Sequence, residues 1–384
     1  MELSKDELAL LRLSLTEGIG PVTGRGLLDH FGSAEALYRT PPRELTTLHE
    51  LSPRLVQTLL SSPRPLRAVE EQLSFIQKDE AEGKPVKLLF LGEEGYPEAL
   101  ESCPDAPLVL YVKGELPPDN PPMIGVVGTR RNTTYATDAL AYFLKGWAEA
   151  RPDLVIVSGL AYGVDAISHN LALRLGLRTI GVVAHGLDTL YPSTHRKLAA
   201  QMIENGGGVV TEFPYGTRAL PQRFIARNRI VAGLSLGLLV GESAAKGGAL
   251  TTAGFALDYG RSVYAVPGRL FDTMSEGCNN LICLNKAAIA TSPRFILEDL
   301  GLLEERPKSQ RLPFAEEDAS PAGAEEEQDP VIRLLKQNDE MTVGELADRT
   351  GEAVHRLSGR LFTLEMEGRI RALPGGKYAL VRTK

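Results

Sequence analysis

The sequence predicts an α/β protein built on a doubly wound, mostly parallel sheet. Residues 123–130, Met-Ile-Gly-Val-Val-Gly-Thr-Arg, form an apolar run that ends in Gly128, a small hydroxyl residue and a cation. A buried parallel strand delivers a chain to a phosphate in this way: the glycine admits the backbone, and the next helix presents free N–H groups. Five further apolar runs follow, at 154–157, 179–183, 209–211, 236–240 and 263–266. Segments with helical spacing separate most of them, and strands alternating with helices define such a sheet.

At 384 residues the chain has room for two to three domains. Its 43% hydrophobic and 24% charged residues are ordinary for a soluble globular protein. The cysteines, Cys103, Cys278 and Cys283, make no C-x-x-C pair and are odd in number. A reducing, cytoplasmic setting fits that usage. Residues 1–11 mix acids with leucines and carry no export signal. No apolar run approaches the length of a membrane span, so no membrane association is expected.

The net charge of −7 argues at first against nucleic acid. Its location reverses that argument. Residues 304–330 hold nine acids and three bases, a net of −6, which leaves −1 for the remainder. A balanced body can carry a basic stripe on one face. The acidic segment, punctuated by Pro307, Pro313, Pro321 and Pro330, reads as a disordered linker over 304–329.

Residues 1–64 form a small helical domain. Glu17-Gly18-Ile19-Gly20-Pro21 has the Gly-hydrophobic-Gly signature of a helix-hairpin-helix. Such a turn offers backbone N–H groups to a DNA phosphate, and it serves equally as a packing hairpin. Residues 65–120 form an extension packed on the main sheet, with a helix at 65–81 and strands at 86–91 and 108–112. The main domain spans 121–303. The tail, 330–384, reads as a winged helix: helices at 331–336, after a Thr342 cap with Glu345 as capping-box acid, and at 352–367, then strands at 370–372 and 377–381. Its third helix carries few cations, Arg356 and Arg360, so contact with duplex DNA and contact with protein are both open.

Open α/β sheets bind ligands at the loops after their strands. The first such loop is Gly128-Thr129-Arg130-Arg131. The second, Ser158-Gly159-Leu160-Ala161-Tyr162-Gly163, makes a backbone nest for an anion, with Asp165 read as a helix-start residue. Phe224-Ile225-Ala226-Arg227-Asn228-Arg229 places two guanidiniums around an amide, one helical turn after an aromatic. That suits a phosphodiester beside a stacked base. Lys246-Gly247-Gly248-Ala249-Leu250-Thr251-Thr252 resembles a phosphate cradle but is not a Walker A motif. The dinucleotide fingerprint also fails at Gly125 and Gly128. Several anion cradles on one rim, without a nucleotide motif, suit a polymer of phosphates. No catalytic constellation is evident. His169, His185 and His195 lack metal-ligand spacing, Ser158 is not in a nucleophile elbow, and Glu212 and Glu242 fit a role in holding glycine loops. No cofactor and no metal are expected.

These motifs resemble those of DNA-processing protein A, the family also called Smf. Gly128-Thr129-Arg130 looks like its Gly-Ser/Thr-Arg motif, and residues 158–165 resemble its S-G-x-A-x-G-[IV]-D segment. Gly186-Leu187-Asp188 with Tyr191-Pro192, Phe224 with Arg227-Asn228-Arg229-Ile230, Pro267-Gly268, and Gly277 with Asn279, Leu281 and Ile282 follow in family order. Asn285 stands where the family usually has a glycine, and Lys246 adds a cation to its glycine loop.

The resemblance implies an extended Rossmann domain behind a sterile-alpha-motif-like N-terminal domain, with a winged helix last. It implies a homodimer, formed through the Rossmann domain, that binds and protects incoming single-stranded DNA in natural transformation and loads the RecA recombinase onto it. The DNA-binding set is then Gly128, Thr129, Arg130, Ser158, Gly159, Ala161, Gly163, Phe224, Arg227, Asn228, Arg229, Lys246, Gly247 and Gly248. The enzymatic alternative is a nucleotide phosphoribohydrolase of the lysine-decarboxylase-like group. Its P-G-G-x-G-T-x-x-E motif is absent, since no glutamate stands at the matching place after Gly248. A third reading, a duplex-specific regulator led by the winged helix, needs a more basic third helix.

Overall fold

The computed structural model describes residues 3–45, 52–61, 64–117, 121–304, 329–338, 340–373 and 375–381. They divide into two compact units, Met1–Glu305 and Arg306–Lys384. Most of the acidic stretch expected as a linker, 305–328, lies outside the described residues.

The first unit is organised by a nine-stranded sheet. Its strands in chain order are β1 (Val86–Phe90), β2 (Val109–Gly114), β3 (Met123–Gly128), β4 (Val155–Ser158), β5 (Arg178–Val182), β6 (Gly208–Thr211), β7 (Gly237–Glu242), β8 (Ser262–Ala265) and β9 (Ala288–Ile289). The spatial order is β1-β2-β6-β5-β4-β3-β7-β8-β9. From β6 to β9 all neighbours are parallel, whereas β1 and β2 join the β6 edge in antiparallel fashion. The apolar runs of the sequence therefore become buried strands, as a sheet covered on both faces requires. The chain winds outward from β3 to β6, then returns to start again at β7 beside β3. That reversal is the topological switch point, where a crevice opens at the carboxyl ends of the strands.

Two apolar clusters cover the faces of the sheet. One packs Ile124, Val126, Leu239 and Tyr264 under Phe143, Leu144 and Trp147 of the helix Thr134–Ala150. The other packs Val127, Val157, Val182 and Val240 against Ile230, Val231 and Leu234 of the helix Pro221–Leu234. The N-terminal helices do not stand apart from the sheet. Leu10, Leu13, Leu27 and Leu37 share one core with Val86, Leu88, Tyr111 and Met202. The hairpin between Lys5–Ser14 and Pro21–Phe31 is drawn onto the main body by Arg25, whose Nη1 donates to the carbonyls of Glu101 and Cys103 at 2.8 and 2.7 Å. The packing role that the sequence allowed for this hairpin is thus visible.

Asn285 has φ of +54°, the left-handed conformation that favours glycine and that asparagine tolerates. The turn before β9 therefore holds an asparagine in a conformation where a glycine is the expectation.

The second unit has its own core of Val331, Leu335, Leu346, Leu357, Leu361 and Ile370. Helices Pro330–Gln337, Val343–Thr350 and Val354–Met366 precede the strands Ile370–Leu373 and Lys377–Leu380. The Thr342–Glu345 capping box forms as expected, with both reciprocal bonds present. A short strand, Met341–Thr342, completes a three-stranded wing. Two residues give no periodicity to detect, and the sequence did not announce it. On the third helix, Arg360 is bonded to Asp329 and Glu352.

Candidate nucleic-acid interface

The crevice at the switch point is a cavity of about 510 Å³. Its floor begins where β3 ends. The Thr129 N–H donates to the Glu242 carbonyl at the end of β7 (2.8 Å), and the Val164 N–H donates to the Thr129 carbonyl (3.1 Å). The buried Glu242 carboxylate accepts from the Thr133 N–H and hydroxyl at 2.9 and 2.7 Å. It thereby anchors the N-cap of the next helix and holds the Thr129–Arg130 turn above the sheet. Gly163 has φ of +76°, and a Cβ there would overlap the Thr129 carbonyl and the Arg130 backbone. Only glycine allows these two loops to touch.

Helix N-termini converge on this floor. The helices Val164–Arg174 and Gly248–Asp258 start at Gly163 and Gly247 without side-chain caps. Gly247, Gly248, Thr251 and Thr252 line one wall. Uncapped N–H groups and the positive end of the helix dipole favour a negative ligand.

The opposite wall is the helix Pro221–Leu234. Phe224, Arg227 and Asn228 fall at i, i+3 and i+4, share one face and line the cavity. The Arg227 guanidinium lies directly over Gly159, where any Cβ would overlap it. Arg227 is only 4% exposed, and its Nε has no hydrogen-bond partner among the described residues. Burial pushes its pKa down to about 10; Asp165 opposes that shift and Arg130 adds to it. It remains charged at neutral pH. Asp165, also buried, accepts from the Ala161 N–H at 3.3 Å. Burial raises its pKa, against the pull of Arg227. At the mouth, Arg130 stands over the Phe224 ring at 5.1 Å, and Tyr191 meets that ring edge-on at 5.9 Å. Tyr191 is half exposed, so an aromatic pair and a guanidinium face solvent together.

Five expected residues do not line the cavity: Gly159 lies beneath the Arg227 guanidinium, Gly163 packs on the Thr129–Arg130 turn, and Arg229, Ser158 and Lys246 are elsewhere. Arg229 is turned away from the cavity. Its side chain bonds the Glu212 carboxylate and the Asp105 carbonyl (2.6 Å) within the protein. It lies about 140° around the helix from Phe224. The Ser158 side chain is buried and donates to the Val126 carbonyl at 2.6 Å, a bond between adjacent strands. Lys246 is exposed beside the glycine wall and does not line the cavity. The binding set read from the sequence omits Tyr191, Ile225, Thr251 and Thr252, though each stands within a quoted motif, and Asp165 is read there as a helix-start residue alone. The helical offsets i+1 from Phe224 and i+3, i+4 from Gly248 could have flagged Ile225 and the threonines. Tyr191 stands in the Tyr191-Pro192 motif, but nothing local places it against Phe224, because it reaches that ring from another loop.

His169, His185 and His195 are hydrogen-bonded within the protein, the last through its Nδ1 to the Leu160 carbonyl at 3.0 Å. Nδ1 of His169 shares a 2.6 Å hydrogen bond with the Thr179 hydroxyl, and burial lowers its pKa to about 3. Nε2 of His185 accepts from the Tyr191 N–H at 3.0 Å and so fixes the loop that carries Tyr191. Among the described residues no group of three or more His, Cys, Asp or Glu is placed to hold a metal. No described helix is long and apolar enough to cross a membrane.

Fold and rim together define a doubly wound α/β protein with a winged helix, whose switch-point crevice gathers cations, aromatics and helix N-termini. The chain belongs to the DNA recombination-mediator protein A family, whose profile matches residues 87–301. Residues 4–43 match the DprA-like N-terminal HHH domain, and residues 315–376 the DprA winged helix domain. Protein Smf of Escherichia coli K12 is 37% identical over 335 residues, covering 86% of each chain. The X-ray structure of DNA processing protein A from Streptococcus pneumoniae aligns with a TM-score of 0.58 at 29% identity, covering 78% of this chain and 99% of that one. A Helicobacter pylori DprA structure, described for its single-stranded DNA binding mode, aligns with a TM-score of 0.50 at 29% identity, covering 56% and 95%.

Proposed function

We propose that this chain binds single-stranded DNA across the switch-point rim, and that it acts there as a homodimeric, cytoplasmic mediator loading a RecA-type recombinase onto strands taken up in natural transformation. The observation that carries the reading is Arg227. Its buried guanidinium lines the cavity between the Asp165 carboxylate, which opposes the cost of its burial, and Arg130, which adds to it, so an anion in the cavity is needed to balance the two cations. A phosphodiester does so with charge-assisted bonds, and the adjacent helix N-termini can take its remaining oxygens. A base on the same strand then meets Phe224 and Tyr191, which read stacking rather than sequence. The binding set is Gly128, Thr129, Arg130, Gly159, Ala161, Gly163, Phe224, Arg227, Asn228, Gly247 and Gly248, with Tyr191, Thr251 and Thr252 added. Lys246 supplies long-range charge at the edge. Ser158 and Arg229 support the floor and wall from behind.

The placement of the carboxylates supports a binding role over phosphoribohydrolysis. Glu242, the glutamate preceding the glycine loop, is committed to Thr133. Asp165 is held by the Ala161 N–H and faces Arg227. The test is anisotropy of labelled oligo-dT, alongside incubation with nucleoside monophosphates. Binding without release of free base is the expected result. Robust turnover of a nucleotide would overturn it. Recombinase loading is tested by strand exchange from DNA already coated with single-strand binding protein, with stimulation expected only when this chain is added.

A further inference from the structure

Between β8 and the helix Glu276–Cys283 lies a turn that exposes two large apolar side chains. Leu270 is 88% and Phe271 98% exposed, the highest values among the exposed large hydrophobic residues described. The turn is built, not loose. Asn279 clamps the Gly268 backbone from both sides, its Oδ1 accepting from the N–H at 3.1 Å and its Nδ2 donating to the carbonyl at 3.2 Å. The Asp272 carboxylate folds inward to accept from the Met274 N–H and the Ser275 hydroxyl. A turn held this firmly presents its apolar tip to solvent as a fixed feature, and such a tip marks a contact site.

Two bonds tie the turn to the cavity. The Gly277 N–H donates to the Ser243 carbonyl at 2.8 Å, at the root of the loop that supplies Gly247 and Gly248. The Tyr135 hydroxyl donates to the Pro267 carbonyl at 2.5 Å from the first turn of the helix that follows the Arg130 loop. The turn is therefore joined to the two elements that carry the glycine wall and follow the Arg130 loop. Arg269 and Lys246 are exposed, with Glu276 as the exposed acid of the turn.

We propose that Phe271, with Leu270 beside it, is a second base-stacking platform for single-stranded DNA, taking the strand as it leaves the cavity past Gly247 and Gly248. Phosphates between the two platforms run by Lys246 and Arg269. A single exposed aromatic with cations beside it is how proteins hold single strands without reading sequence. The inference rests on the rim being the DNA site, and it adds a direction and a minimum length to the bound strand.

The test uses the full chain with labelled oligo-dT of about 4 and about 20 nucleotides, spanning the site sizes of single-strand binders. Phe271→Ala is expected to weaken the longer oligomer roughly tenfold, the scale of one lost stacking contact, and to leave the shorter one unchanged. Phe271→Trp is expected to keep the affinity and to show indole quenching when the longer oligomer is added. Equal affinity of Phe271→Ala and wild type for both lengths overturns the inference, and so does an equal loss on both. An altered oligomeric state with unaltered DNA binding also overturns it and assigns the turn to contact between copies. If the wild type binds neither oligomer, the cavity reading falls and this inference with it. If the wild type binds and Phe271→Ala is silent, this inference alone falls.

Discussion

Arg227 and Arg229 stand two residues apart on one helix and have opposite surroundings. Arg227 faces the cavity over Gly159, with an unpartnered Nε. Arg229 faces the protein and is satisfied by Glu212 and Asp105. Both are almost fully buried. Burial alone therefore does not separate a binding residue from a structural one; the partners do. An ion pair closed within the protein holds the wall, while a cation left open within it awaits a ligand.

Breaking the closed side has the largest expected effect. Arg229→Ala leaves the Glu212 carboxylate buried without its cation, which costs about 3–5 kcal/mol. Urea unfolding is expected to show that loss, while the folded fraction keeps its affinity for oligo-dT. The open side responds in the reverse sense. Arg227→Ala is expected to weaken oligo-dT binding roughly 10- to 100-fold, the scale of a charge-assisted bond, with a smaller loss of stability than Arg229→Ala, because the Asp165 carboxylate that loses its cation keeps the Ala161 N–H and can take up a proton. Gly159→Ala sharpens the comparison, because its methyl displaces the Arg227 guanidinium without altering any charge. A similar loss of affinity is expected from it, and normal affinity in that variant would disconnect Arg227 from the site.

A pH effect of about 2 kcal/mol comes next. The pKa of His169 is lowered to about 3 by burial, against about 6.5 unfolded. Its neutral form is the one the fold accepts, so its contribution is complete above the unfolded value and is lost as pH falls toward the folded one. Between pH 7 and pH 5 that loss is about 2 kcal/mol. Urea midpoints of wild type and His169→Gln at the two pH values measure it; a wild type as pH-dependent as the variant would refute the assignment. The smallest effect is expected from removing residues 304–384. The cavity lies wholly within the first unit, so single-strand affinity should be nearly unchanged.

The same helix shows what a sequence can and cannot disclose. Its apolar spacing and the strand runs around it made the sheet legible, because those patterns are local. The Thr342–Glu345 cap was legible for the same reason. Arg227 and Arg229 looked alike as a flanking pair, and choosing between them required knowing which face met Asp105 and Glu212. Those partners lie far off in the chain. Tyr191 was likewise invisible as a neighbour of Phe224, and β9, two exposed residues on the sheet edge, carries no alternation to detect. Tertiary contacts decided each of these cases, and periodicity does not encode them.

The most direct test of the central claim is anisotropy of oligo-dT and of duplex of equal length across a salt series, for wild type and Arg227→Ala. The account predicts a preference for the single strand, with log affinity falling against log salt at roughly 0.7 per phosphate contacted. It predicts that Arg227→Ala lowers both the affinity and that slope by about one contact. Equal binding of duplex and single strand, or an Arg227→Ala slope and affinity matching the wild type, would contradict it.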